Sequence, residues 1–139
     1  MNRKMAEIIR NQQPACLPPA ASLRQACEVM HQRRIGAILV TDETGRLVGI
    51  LTGRDVVGCV SAGMDMAATI LDSVMTRDPA TMPPRSTAVE ALRLMQDGGF
   101  RHVPVVDQGK PVGIVSRGDF RGLETDRLDV ETGLWERIG

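Results

Sequence analysis

The chain has 139 residues, room for one compact domain, and its 17 Lys and Arg balance 17 Asp and Glu at zero formal charge. That balance supplies no field to draw nucleic acid or an anionic membrane, and two Phe, one Trp and no Tyr leave few surfaces on which bases could stack. Cys16, Cys27 and Cys59 lack metal spacing and read as free thiols in a reducing cytoplasm; no leader peptide is visible, and the longest apolar run, residues 35–40, has strand length.

Residues 5–10 are expected to play, before the first copy, the part that residues 69–75 play before the second. Ala15, Cys16 and Leu17 predict a short strand, stopped by Pro18 and Pro19, which supply no ladder N–H. Ser22 stands where a helix N-cap belongs, and Leu23, Ala26, Cys27 and Met30 then follow the spacing of one buried helical stripe. Residues 37–40 are apolar without alternation, as in a strand covered on both faces. A turn at residues 42–45, with Gly45 where positive φ is needed, leads to a hairpin partner over residues 47–51 and a helix over residues 55–60. Residues 62–65 break the chain, and residues 69–75 predict a short helix.

The series then begins again. Ala80, Thr81 and Met82 predict a strand, Pro83 and Pro84 stop it, Thr87 caps, and Ala88, Ala91, Leu92 and Met95 form the stripe. Residues 102–106 and 112–115 predict the hairpin strands, with Gly109 in the turn. Pro14, Ala15, Pro18, Pro19, Ala26, Met30, Val40 and Asp42 recur at one constant spacing as Pro79, Ala80, Pro83, Pro84, Ala91, Met95, Val105 and Asp107. One residue drops out near Thr44. Gly45, Val48, Gly49, Ile50 and Asp55 then recur as Gly109, Val112, Gly113, Ile114 and Asp119. Each copy, about 60 residues, is small for a stable domain alone, so the two are expected to share a core. The organisation read from this is a first repeat at 1–61, a connection at 62–77, a second repeat at 78–123 and a tail at 124–139. Leu134, Trp135 and Ile138 in the tail are expected to fold back on the core or pack on another subunit.

Two β-α-β-β-α copies, each ending in Gly, two apolar residues, a hydroxyl residue and an Asp three positions on, resemble the tandem cystathionine-β-synthase (CBS) domain pair, or Bateman module. Residues 101–107, Arg-His-Val-Pro-Val-Val-Asp, match that family's second-strand pattern. The resemblance covers residues 1–123 and implies an α/β (α+β) fold with the copies packed about a pseudo-twofold axis. It implies clefts between the copies for an adenine nucleotide or related adenosyl ligand, further association into a homodimer, and a regulatory role. No cofactor is required on this reading. With no output domain read in the chain, a signal would pass to a separate protein target.

By the same resemblance, Asp55 and Asp119 accept from the ribose hydroxyls, and Thr52 and Ser116 face the same clefts. A carboxylate suits a vicinal diol because a charged acceptor makes the stronger hydrogen bond. Arg101 and His102 occupy positions that approach ligand phosphates, whereas the first copy has Gly36 and Ala37 there. The Asp119 site therefore has the better claim to an anionic ligand; the Asp55 site would bind weakly, take an uncharged adenosyl group or stay empty. Ala15, Cys16 and Leu17 are expected as apolar walls near Asp119, and Ala80, Thr81 and Met82 near Asp55, with plain core packing as the other reading. The Thr/Ser-x-x-Asp pattern is also a helix start in which Asp replaces the usual Glu or Gln of a capping box. The alternative function is a dimerisation or partner-docking module whose clefts are vestigial. An enzyme is not expected, since no Ser/His/Asp or Cys/His arrangement, no metal cluster and no acid–base partner for either Asp is apparent.

Overall fold

In the computed structural model, residues 3–120 are described; the tail from 121 onward, with Trp135, lies outside them. The chain divides into two compact units. The first holds residues 13–80 and 108–111, and the described part of the second holds residues 3–12, 81–107 and 112–120. Both sheets carry helices, so the fold is mixed α and β.

In the first unit, β1 (Cys16–Leu17) runs parallel to β2 (Ala37–Thr41), which pairs antiparallel with β3 (Leu47–Thr52). A fourth strand, β4 (Thr76–Arg77), adds antiparallel to β3 and completes the order β1-β2-β3-β4. Ser22 caps the helix α2 (Leu23–Arg33) as expected, its Oγ accepting from the Gln25 N–H, and the Gln25 side chain adds the return bond from the Ser22 N–H to complete a capping box. Its Leu23, Ala26 and Met30 are buried against Ile38, Val40 and Leu51, while Cys27 is only half-buried. The hairpin between β2 and β3 is closed by Asp42, whose Oδ1 accepts from the Thr44 N–H, the Thr44 hydroxyl and the Arg46 N–H.

The second unit repeats the plan with α4 (Ala88–Gly98), capped by Thr87 and Glu90, and the hairpin of β5 (His102–Asp107) and β6 (Lys110–Ser116). Only Gln108 and Gly109 separate β5 from β6, and both take positive φ, 52° and 82°, as a two-residue hairpin turn requires. The predicted opening strand does not form a ladder. Only Met82 pairs, by a parallel bridge to Val105. In the first unit the Leu39 N–H donates to the Ala15 carbonyl at 2.9 Å. The residue in Leu39's place is Pro104, which has no N–H to offer Ala80.

Each unit has its own cluster of buried side chains. Each unit closes its own core by recruiting the segment that precedes the other copy. Residues 69–75 join the first unit: the Leu23 N–H donates to the Thr69 carbonyl, the Leu71 N–H to the Ala21 carbonyl, and Leu71 is fully buried. Residues 3–9 do the same in the second unit: the Ala88 N–H donates to the Arg3 carbonyl, the Met5 N–H to the Ser86 carbonyl, and Met5 is fully buried. Burial of one such side chain is worth roughly 1.5–3 kcal/mol. The helix expected over residues 69–75 is only a 3-10 turn, Leu71–Ser73, followed by β4, and its amino-terminal counterpart is the short α1 (Met5–Ile8).

The repeated Val-Gly-Ile explains how these segments get so close. A Cβ on Gly113 would stand 2.6 Å from both Cβ and Cγ2 of Ile9, and one on Gly49 would stand 2.5 Å from Met75 Sδ. Ile9 is β-branched and stiff, whereas the thioether of Met75 can swing aside. Gly113→Ala should therefore cost roughly 1–3 kcal/mol of unfolding free energy, more than Gly49→Ala, in urea titrations of the two variants. Equal losses would contradict this account of the packing.

Candidate functional site

The two hydroxyl–Asp motifs sit where the third strand of each copy gives way to helical backbone. Thr52 ends β3 and caps α3 (Gly53–Ser61); Ser116 ends β6 and precedes the 3-10 turn Arg117–Asp119. In the first unit, Asp55 Oδ2 accepts from the Thr52 N–H at 2.9 Å and from the Thr52 hydroxyl at 3.0 Å, and Thr52 Oγ1 in turn accepts from the Asp55 N–H at 3.3 Å. In the second, Asp119 Oδ2 accepts from the Ser116 N–H at 2.7 Å and from the Ser116 hydroxyl at 3.2 Å. The capping-box geometry is thus present in both copies, opening α3 in the first and a three-residue 3-10 turn in the second. It uses one carboxylate oxygen. Among the described residues, the other oxygen of each Asp has no hydrogen-bond partner.

The ends of the preceding strands meet the motifs in the same way. The Gly53 N–H donates to the Gly36 carbonyl at 3.1 Å, and the Arg117 N–H donates to the Arg101 carbonyl at 3.1 Å. Gly36 and Arg101 are therefore equivalent in their backbone contact as well as in sequence, and at this position the second unit has a guanidinium-bearing residue where the first has glycine. Arg101 and Asp119 are exposed, while His102, Ser116, Asp55 and Thr52 are half-buried. Partial burial holds the His102 imidazole below its ordinary pKa; the Asp119 carboxylate pulls the other way and the Arg101 guanidinium adds to the lowering. These opposing influences bring His102, Arg101 and Asp119 into one electrostatic neighbourhood.

The apolar wall candidates divide between the units. Ala15 is buried, Leu17 half-buried and Cys16 exposed in the first unit, which also holds the exposed Ala80. Thr81 is exposed and Met82 buried in the second. Among the described residues no group of His, Cys, Asp and Glu could hold a metal ion, and no helix is long and apolar enough to cross a membrane. Sequence reasoning missed Arg3, whose guanidinium Nη2 donates to the Asp119 carbonyl at 3.1 Å.

The CBS domain family model matches residues 6–62 and again residues 71–124. The chain belongs to the CBS domain family. This CBS pair is 39% identical over 100 residues to a CBS domain-containing protein of Arabidopsis thaliana, covering 71% of the present chain but only 18% of that relative's length. It superimposes with a TM-score of 0.83, at 23% identity, on a CBS domain protein of Pyrobaculum aerophilum complexed with AMP, covering 91% of this chain and 98% of that one. A CBS domain pair in complex with 5'-methylthioadenosine and S-adenosyl-L-methionine gives a TM-score of 0.81, also at 23% identity, with coverage of 91% and 99%. At this identity, these likenesses establish the fold.

The depressed His102 has a consequence for stability. Above about pH 6.5, the ordinary value, His102 is neutral in both folded and unfolded chains. Below it, the unfolded chain takes up the proton first, so stability falls as pH drops until the lower folded value is passed. His102→Gln should flatten that part of the pH dependence, as read from urea midpoints between pH 8 and pH 5. An unchanged slope in the variant would place the titrating group elsewhere.

Proposed function

We propose that this CBS pair is a non-enzymatic regulatory module that binds an adenosyl ligand, with the motif Ser116–Asp119 as its principal site. One observation carries the reading: Asp119 Oδ2 accepts from its own turn, while Oδ1 has no partner among the described residues, beside Arg101 and the half-buried His102. A ribose diol would donate to Oδ1, and Arg101 and His102 would take a phosphate. The turn opening at Arg117 is too short to act as an anion site by itself, so the charge must come from side chains. The complexes of related folds with AMP and with S-adenosyl-L-methionine support this ligand class.

At the Asp55 motif the same carboxylate geometry occurs with Gly36 in place of Arg101. That site would favour an uncharged adenosyl group or bind weakly. The expected walls at residues 15–17 and 80–82 belong to the same proposal, as do a homodimeric state, a cytoplasmic location and a separate protein target. A second reading, as a docking or dimerisation module, has an observation of its own. Val57 and Val60 on α3 are 68% and 60% exposed, and Met64 just beyond is 42% exposed, unusual for large apolar side chains at helical spacing.

Asp119→Asn separates turn closure from ligand binding. The amide oxygen can still accept from the Ser116 N–H, but the amide nitrogen cannot accept from a ribose hydroxyl. Isothermal titration with AMP should show affinity falling on the order of tenfold or more in this variant, equivalent to about 1.4 kcal/mol, with a smaller loss for Asp55→Asn. Wild-type protein at a hundredfold excess over Kd should gain roughly 2.7 kcal/mol of stability. No stabilisation by AMP, ATP or S-adenosyl-L-methionine at millimolar concentration, together with a stable dimer, would favour the docking reading instead.

A further inference from the structure

The amino-terminal segment is stitched into the second unit next to the motif. The Ala88 N–H donates to the Arg3 carbonyl at 2.7 Å, Lys4 bridges to Thr87, and the Ile114 N–H donates to Gln12 Oε1 at 2.8 Å. Held by its backbone in this way, Arg3 is half-buried and its guanidinium reaches the Asp119 carbonyl across 116 positions of sequence. The first unit offers a direct comparison. There the Leu23 N–H donates to the Thr69 carbonyl at 2.9 Å, which sets Thr69 in the place of Arg3. At two equivalent backbone positions, then, the second unit carries Arg3 and Arg101 where the first carries Thr69 and Gly36.

We propose that Arg3 is a specificity-determining residue of the Asp119 site, supplying with Arg101 the charge that makes this site prefer phosphorylated adenosyl ligands to uncharged ones. The inference rests on the ligand reading above and adds to it a residue that lies outside the repeated motifs. Two arginines that both contact one carboxylate-bearing turn, Arg3 through its guanidinium and Arg101 through its carbonyl, suit a ligand that is a diol at one end and a dianion at the other. A guanidinium recognises phosphate through charge and planar donor geometry, neither of which threonine or glycine provides.

The test is isothermal titration of the full chain with AMP and with adenosine, at low and at moderate salt, for wild type, Arg3→Gln and Arg3→Lys. Arg3→Gln should weaken AMP on the order of tenfold while leaving adenosine within about twofold, and it should reduce the salt dependence of AMP binding. Arg3→Lys should recover part of the AMP affinity. An equal loss for both ligands would mean that Arg3 merely holds the turn, and unchanged AMP binding in Arg3→Gln would overturn the inference while leaving the ligand reading intact. Failure of wild type to bind either compound would overturn the ligand reading and the role of Arg3 with it.

Discussion

A single carboxylate oxygen organises the candidate site. In each copy the Asp of the motif bonds back to the N–H and hydroxyl of the residue three positions earlier, fixing where the last strand ends and helical backbone begins. The capping bond and the proposed ligand bond do not compete, because a carboxylate has two oxygens and the turn uses one. The arrangement also orients the unused oxygen before any ligand arrives, which lowers the ordering cost of binding. Structural and functional readings of the same residues are therefore compatible.

Around this shared device the copies have diverged. The backbone contacts are matched almost bond for bond: Gly36 with Arg101 at the motif, Thr69 with Arg3 at the helix start, Ala21 with Ser86 at the recruited segment. What differs is side-chain charge. Each unit takes its closing segment from the stretch before the other copy, so an amino-terminal residue reaches the second motif and a linker residue occupies the same place in the first. This exchange lets two like backbones carry unlike side chains, Arg3 and Arg101 in the second unit against Thr69 and Gly36 in the first. His102, depressed by burial and opposed by Asp119, adds a group whose protonation a bound phosphate would promote.

Much of this was legible in the residues. The N-caps Ser22 and Thr87, the buried stripes of α2 and α4 and the glycine turns are local features, written in neighbouring positions. The equivalence of Gly36 and Arg101 followed from repeat alignment and reappears as equivalent hydrogen bonds. The failures were non-local. Residues 69–75 are too few to show a helical period, and their 3-10 turn and β4 are decided by contacts with Ala21 and β3. The opening strand of the second copy was overestimated because its loss depends on a missing N–H in a different strand, at Pro104. Arg3 carried no signal at all: its place beside Asp119 depends on a chain segment folding onto the copy farther from it in sequence.

Whether Asp119 performs both tasks at once is decided by a crystal structure of the chain with AMP. The account predicts the ribose hydroxyls within hydrogen-bond distance of Asp119 Oδ1, with Oδ2 still on the Ser116 N–H and the phosphate facing Arg101. AMP bound away from this motif, or Asp119 swung off Ser116 to meet it, would contradict the account.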